Sequence, residues 1–304
     1  MAVIRLLLAL LLFAPSPPLS TEKTPVYVAA SFLDRNRLQV ENMSREEIRV
    51  SENGTSRVVE FFAGVEVPVA YGLLFDRSLL PKPFEDPSRD QYLTATATTV
   101  PSVAYQLIDL CFAGQAGWVA SYDHTGMQVT LDFTQDSSRV KNAVQALRGP
   151  ERSIEESTLY GPLLNSVQKL CQRNEKRRVL VLFIGVLDVK TVDKIRPLKN
   201  LLSASNVELF VAGFARKSVS GPGLMSSQSE AGLRELADVT AGGAYFINME
   251  GIERLGRRIA DQVRTLYTIG FESESDPGKP AKLTIECTRP GIKLKTHPLS
   301  PILQ

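Results

Sequence analysis

Asp76, Ser78, Asp123 and Thr158 are the oxygen-bearing residues of this 304-residue chain best placed for chemistry, because each adjoins a compact apolar segment. Asp76 and Ser78 close the run VAYGLLFDRS, Asp123 closes WVASYD, and Thr158 opens STLYGPLL; Gly185 and Asp188 end another run, in FIGVLD. A hard divalent cation needs several oxygens from different loops, octahedral at about 2.1 Å for Mg²⁺. The set predicts either a Mg²⁺ or Mn²⁺ site through Asp76, Ser78, Thr158 and Asp123, or plain capping, with Asp76 closing a loop and Ser78 and Thr158 starting helices. A hydrolase using the Asp76 and Asp123 carboxylates is the enzymatic alternative. Other catalytic patterns are poorly supplied. The two histidines, His124 and His297, stand far apart in loop and tail, which disfavours a histidine triad or a His-rich zinc site. No phosphate-cradling glycine loop follows the first long apolar strand. Ser166-Val167-Gln168-Lys169 fits Ser-x-x-Lys, but Val167 belongs to an apolar helical stripe, and polar periodicity explains Ser166 and Lys169 better.

The elements that must position these residues are legible as periodicity. VAYGLLF (69–75), WVASY (118–122), VLVLFIG (179–185) and VELFVAGF (207–214) are short, nearly unbroken apolar runs, as expected of strands covered on both faces. Between them lie stripes of helical period: Ala104, Leu107, Ile108 and Cys111; Val140, Val144 and Leu147; Leu159, Leu163, Val167 and Leu170; Val192, Ile195, Leu198 and Leu202. Ile252, Leu255, Ile259, Val263 and Leu266 form the cleanest one. Gly242-Gly243 suits a helix stop before the strand AYFI. The alternation predicts an α/β fold with a doubly wound, mostly parallel sheet. GMQVTLDF (126–133), directly after a strand, is the expected antiparallel edge. Ahead of this region, VYVAASF (26–32) and IRVSENGTSRVVEFF (48–62) read as strands, the second turning at Asn53-Gly54. YTIGFES (267–273), KLTIECT (282–288) and IKLKTH (292–297) close the chain, and pairing of these with the first strands would make one small β module.

The organisation expected is therefore a leader at 1–20, strands at 21–66, the α/β domain at 67–266 and strands at 267–304. The leader, MAVIRLLLALLLFAPSPPLS, has one basic residue and an apolar run too short to span a bilayer, which takes about 20 residues; it reads as a secretory signal peptide, so the protein is expected to be exported, periplasmic or secreted. No later segment supplies a membrane span. A formal charge of +2, from 35 basic and 33 acidic residues, leaves no electrostatic footprint for nucleic acid. The densest basic run, RNEKRR at 173–178, reads as cations on a solvated helix end. Cys111, Cys171 and Cys287 are too few and too scattered for a disulfide framework or zinc site. Buried free thiols are the expectation, with a Cys111–Cys171 bridge the alternative.

The order of elements from Val67 to Tyr267 resembles the von Willebrand factor A fold. Several phrases are similar to the von Willebrand factor A-related family of bacterial exported proteins, acidobacterial type: VPVAYGLLFDRS, VASYDHTGMQVTLDFTQDSSRVKNAVQAL, STLYGPLL, and LRELADVTAGGAYFINMEGIERLGRRIADQVRTLYTIGFESES, with MSREEIRVSENG upstream and RPGIKLK behind. The resemblance implies a metal-ion-dependent adhesion site made of Asp-x-Ser-x-Ser, a Thr and a further Asp, at which a partner's acidic side chain completes the coordination. Matched position by position, Asp76, Ser78 and Thr158 are retained; Leu80 stands at the second serine and Gly185 at the second aspartate. Asp188, three residues on, would have to fold back, and Asp123 is the better replacement. The implied function is a non-enzymatic protein-interaction domain with a degenerate metal site. The proline-bearing loop LLPKPFEDPSRDQY (79–92) beside that site offers Phe84, Glu85, Asp86 and Asp90 to a partner.

Overall fold

The computed structural model describes residues 23–36, 38–64, 66–81, 91–149, 158–185, 191, 193–214, 227–247, 252–275 and 281–296. The leader, Asp188, and the loop residues Phe84, Glu85, Asp86 and Asp90 lie outside them. The apolar runs become the strands of one six-stranded sheet: β5 (Val69–Asp76), β6 (Ala116–Asp123), β7 (Gly126–Thr134), β8 (Arg177–Ile184), β9 (Val207–Phe214) and β10 (Gly243–Ile247). Their spatial order is β10-β9-β8-β5-β6-β7. All neighbours are parallel except β6 and β7, so the antiparallel edge lies where expected. Strands β5, β6, β8 and β9 are buried at every residue, which is why their sequences are apolar without alternation.

Helices cover both faces. On one lie α1 (Gln91–Cys111), α2 (Ser137–Ala146) and α6 (Ile252–Thr265); on the other lie α3 (Tyr160–Cys171), α4 (Ile195–Ser205) and α5 (Ser227–Asp238). The anticipated stripes are the faces that pack: Leu107 and Ile108 of α1 with Leu255 and Ile259 of α6, and Leu163, Val167 and Leu170 of α3 with Leu198 and Leu202 of α4. Two aromatic side chains lock β5 to β6 by occupying the space over glycines. Tyr71 lies over Gly117, where an added Cβ would sit 2.0 Å from the ring, and Trp118 lies over Gly72, where it would sit 2.5 Å away. Tyr71↔Gly117 and Gly72↔Trp118 are facing pairs in the register, one on each face of the sheet.

The two ends of the chain meet in a β module. Strands β1 (Thr24–Leu33), β4 (Val59–Ala63), β11 (Tyr267–Ser273) and β13 (Lys293–Thr296) form a sheet of order β13-β1-β11-β4, and β2 (Ile48–Glu52), β3 (Thr55–Arg57) and β12 (Leu283–Cys287) form another of order β12-β2-β3. Val28, Phe32, Val50, Ile269 and Phe271 fill the core between them. The run at 48–62 is thus two strands of the second sheet plus one of the first. Asn53 (φ 51°) and Gly54 (φ 82°) make the expected tight turn, and the chain changes sheets at Val58, which is exposed, before Val59, which is buried.

Four sequence expectations need correction. Gly242 does not stop a helix, since α5 ends at Asp238. It lets the chain pass β9, because an added Cβ would stand 2.0 Å from the Leu209 carbonyl oxygen. The basic run at 173–178 is not a solvated patch. Arg177 pairs bidentately with Glu208 (2.9 and 2.7 Å), each side chain 2% exposed, and donates to the Val263 carbonyl of α6 (3.0 Å); Arg178 donates twice to the Arg173 carbonyl (3.2 and 2.8 Å). Ser166 does not belong to a polar face: it is fully buried and donates to the Pro162 carbonyl (2.7 Å), while Lys169 pairs with Asp132 (2.8 Å). Cys111, Cys171 and Cys287 are free thiols but not the buried ones expected: Cys111 and Cys287 are half-buried, and Cys171 is exposed on α3, across the sheet from Cys111 on α1.

Candidate functional site at the carboxyl rim of the central sheet

The strand order reverses between β5 and β8: the chain leaves β5 toward β6 and later leaves β8 toward β9 in the opposite direction. A crevice at the carboxyl ends of such a pair is where open α/β sheets place ligands. Asp76 ends β5 there, and Gly185 comes directly after β8. Asp76 is 1% exposed. Its Oδ1 accepts the Ser78 backbone N–H (2.9 Å), capping the 3₁₀ turn Arg77–Leu79, and its Oδ2 accepts a long hydrogen bond from the Gly185 N–H (3.4 Å). Asp76 therefore ties the two strands at the switch point.

Leu79 and Leu80, just past Asp76, are core rather than ligand shell. Both are buried and belong to the cluster with Val100, Val140 and Leu147. Leu80 also lies under the segment after α2: the Gly149 N–H donates to the Pro81 carbonyl (2.9 Å), and a Cβ on Gly149 would meet the Leu80 carbonyl oxygen at 2.6 Å. At Gly185 an added Cβ would lie 2.9 Å from Leu79 Cδ2 and 3.3 Å from Ser78 Oγ. A side chain at 185 thus competes for space with the leucine that fills the rim.

Asp123 is at the same rim, at the end of β6 beside β5, and both its oxygens are engaged. Oδ1 accepts the Thr125 backbone N–H (2.8 Å) and hydroxyl (2.5 Å), and Oδ2 pairs with Arg77 Nη1 (2.7 Å). Burial pushes the Asp123 carboxyl up, but the Thr125 hydrogen bonds and the charges of Arg77 and His124 outweigh it and hold it below the usual aspartate range. Arg77 is the residue that sequence reasoning passed over. Besides Asp123 it donates from Nε to the Arg148 carbonyl (3.1 Å) and from Nη2 to the Gly149 carbonyl (3.3 Å), so one guanidinium clamps β5, β6 and the segment after α2 together. Its only signal was its place between Asp76 and Ser78. Thr158 is half-buried just ahead of α3 and does not cap it: the N-cap is Leu159, with no side-chain cap bond, and Thr191 Oγ1 accepts the Tyr160 N–H (3.1 Å).

The resemblance noted in the sequence implies a metal at this rim. Of the expected donors, Asp76 and Ser78 adjoin one another, but Asp123 is held by a cation already built into the chain. Among the described residues, no three His, Cys, Asp or Glu side chains group so as to hold a metal ion. Among the described residues, the donors at the rim do not make up the implied set.

No protein-family model matches the sequence, and neither does any curated protein. Solved structures do match in shape. Proximal thread matrix protein 1 from the mussel byssus, whose metal-ion-dependent adhesion motif is occupied by zinc, superposes with a TM-score of 0.50 at 9% identity, over 71% of this chain and 50% of that one. A von Willebrand factor type A protein from Catenulispora acidiphila gives 0.49 at 11% identity, over 93% and 75% of the two chains. The PilB minor pilin from Streptococcus sanguinis gives 0.47 at 8%, over 66% and 62%. The likeness to the mussel protein is one of fold, and with the strand order, the two helical faces and the rim at the β5–β8 switch point it agrees with the doubly wound, von Willebrand factor A-like layer expected from the sequence.

Proposed function

We propose that this chain is an exported, non-enzymatic protein–protein interaction domain of von Willebrand factor A type that captures its partner without a divalent cation. The observation that carries the reading is the rim itself. Leu80 is packed as core at the position of the second serine, with Leu79 buried beside it, Gly185 offers no carboxylate, and Arg77 pairs with Asp123. A cation entering here would have to displace Arg77 from a partly buried ion pair, and breaking such a pair costs several kcal/mol. Export rests on the leader sequence, and the 79–92 loop, with Phe84, Glu85, Asp86 and Asp90, is the proposed partner contact. A hydrolase is disfavoured because Asp123 is neither free to take a proton nor poised near neutral pH. Partner capture by the immobilised protein, with and without chelator and with residues 81–90 deleted, tests the reading. Capture insensitive to chelator and lost on deletion is expected. Capture abolished by chelator would instead favour a Mg²⁺- or Mn²⁺-dependent site through Asp76, Ser78, Thr158 and Asp123, binding an acidic partner residue.

A further inference from the structure

A basic surface of the described chain lies on the exposed side of α6. Residues 252–265 bury Leu255, Ile259 and Val263 against the sheet and α1, which leaves Arg254, Arg257 and Arg258 exposed one helical turn apart. The turn containing Gly256 lies close against α1: a Cβ on Gly256 would stand 2.5 Å from Gln106 Oε1 and 3.0 Å from the Val103 carbonyl oxygen. Beside that contact the two helices line a groove of about 750 Å³. The three arginines form one wall, Tyr105 and Leu110 of α1 form the other, and Gln106 contributes to the floor. Leu110 is one of four large apolar side chains that the described surface exposes. Arg254 and Arg257 have no ion-pair or hydrogen-bond partner among the described residues, and Arg258 stacks over Tyr245 (5.2 Å). Two carboxylates also border the groove. Asp109 is already paired with Lys141 (2.6 Å), which leaves Asp261 as the counter-charge to three cations.

We infer that this groove is a second binding surface, for an extended acidic peptide in which an apolar residue stands between two carboxylates. Carboxylates at alternate positions of an extended chain are about 6.6 Å apart and point the same way. Arginines three or four apart on a helix are separated by about 5–6 Å between Cβ atoms, so two such carboxylates meet two guanidiniums, and the residue between them turns to the opposite wall. That wall carries Leu110 and Tyr105. The groove selects for alternation rather than for charge alone.

The test is fluorescence anisotropy of labelled peptides with a Glu-Leu-Glu, Glu-Ser-Glu or Lys-Leu-Lys core, and of a labelled single-stranded oligonucleotide, against the purified protein. The Glu-Leu-Glu peptide binds saturably. Arg254→Gln with Arg257→Gln weakens it roughly tenfold or more, as expected for loss of charge-assisted hydrogen bonds, and Leu110→Ser weakens it with the charge intact. These side chains are exposed, and unchanged circular dichroism and thermal midpoint establish that the variants fold. Asp76→Ala and deletion of residues 81–90 leave peptide binding intact, which separates this surface from the rim. Equal binding of Glu-Ser-Glu or of the oligonucleotide would reduce the groove to a nonspecific positive field and overturn the inference. So would the absence of saturable binding, or binding indifferent to the arginine variants.

Discussion

Leu80→Ser restores, at one position, the serine that the metal-site pattern requires, and the structure says it should destabilise the protein instead. Leu80 is 4% exposed and packs in the cluster that joins β5 to α1 and α2. Truncating a buried leucine costs about 2–5 kcal/mol, depending on how far the site collapses. Collapse is restricted here, because the backbone beneath Leu80 is pinned by the close approach of Gly149, by the Gly149–Pro81 hydrogen bond and by the Arg77 clamp. The cost should fall in the upper half of that range, and a buried hydroxyl lacking a partner adds about 1–3 kcal/mol. A loss of roughly 5–8 kcal/mol is comparable with the 5–15 kcal/mol that holds a typical domain together. Urea denaturation of wild type, Leu80→Ala and Leu80→Ser, each with and without Mg²⁺, reads this directly, with the midpoint shifting and the slope unchanged. Leu80→Ser is expected to be less stable than Leu80→Ala, and Mg²⁺ should rescue neither. A serine variant as stable as wild type, or one selectively stabilised by Mg²⁺, would refute the reasoning that the rim is core.

Other consequences are open to measurement. Gly242→Ala should cost about 1–3 kcal/mol or more by overpacking, because its Cβ would meet the Leu209 backbone, whereas Gly114→Ala, with φ +72° and open space around it, should lose only about 1 kcal/mol of backbone strain; chemical denaturation compares the two. Glu208→Ala strands the buried Arg177 guanidinium and should destabilise by about 3–5 kcal/mol, more than Glu47→Ala at the half-buried Arg289 pair. The Asp123 carboxyl is held below its usual value in the folded state, so its ionised form contributes stability above the unfolded value of about 3.9, and that contribution is lost as pH falls through the lower folded value. The stability gap between wild type and Asp123→Asn should be full at pH 7 and close progressively below about pH 4; a gap that persists unchanged into acid would contradict the ion pair. Burial pushes the Cys111 thiol up to about 12, so iodoacetamide at pH 8 should label it far more slowly in the native protein than in urea.

The elements were legible where period alone decides them. Continuous apolar runs marked the central strands and 3.6-residue stripes marked the helices that cover them, because burial on two faces or one leaves no other pattern. Side-chain partners chosen across the fold were not legible. Nothing in RNEKRR reveals that Arg177 reaches Glu208, because thirty residues and a helix intervene. Nor does GG announce a close pass over Leu209 rather than a helix stop. At the rim, the resemblance pointed to Leu80 and Gly185 as positions without a ligand, but not to Leu79 and Leu80 as buried core or to Arg77 as the partner of Asp123. A residue at an unconstrained position of a motif carries no signal of its own.

The most direct measurement is the thermal midpoint of the purified protein and of Asp76→Ala, each in Mg²⁺, Mn²⁺, Ca²⁺ and chelator. A ligand bound to the native state at a hundredfold excess over its Kd stabilises by about 2.7 kcal/mol, which such a scan resolves. No cation-dependent shift in the wild type is predicted. A cation-specific rise that vanishes in Asp76→Ala would contradict metal-independent recognition and return the rim to metal-dependent binding of an acidic residue.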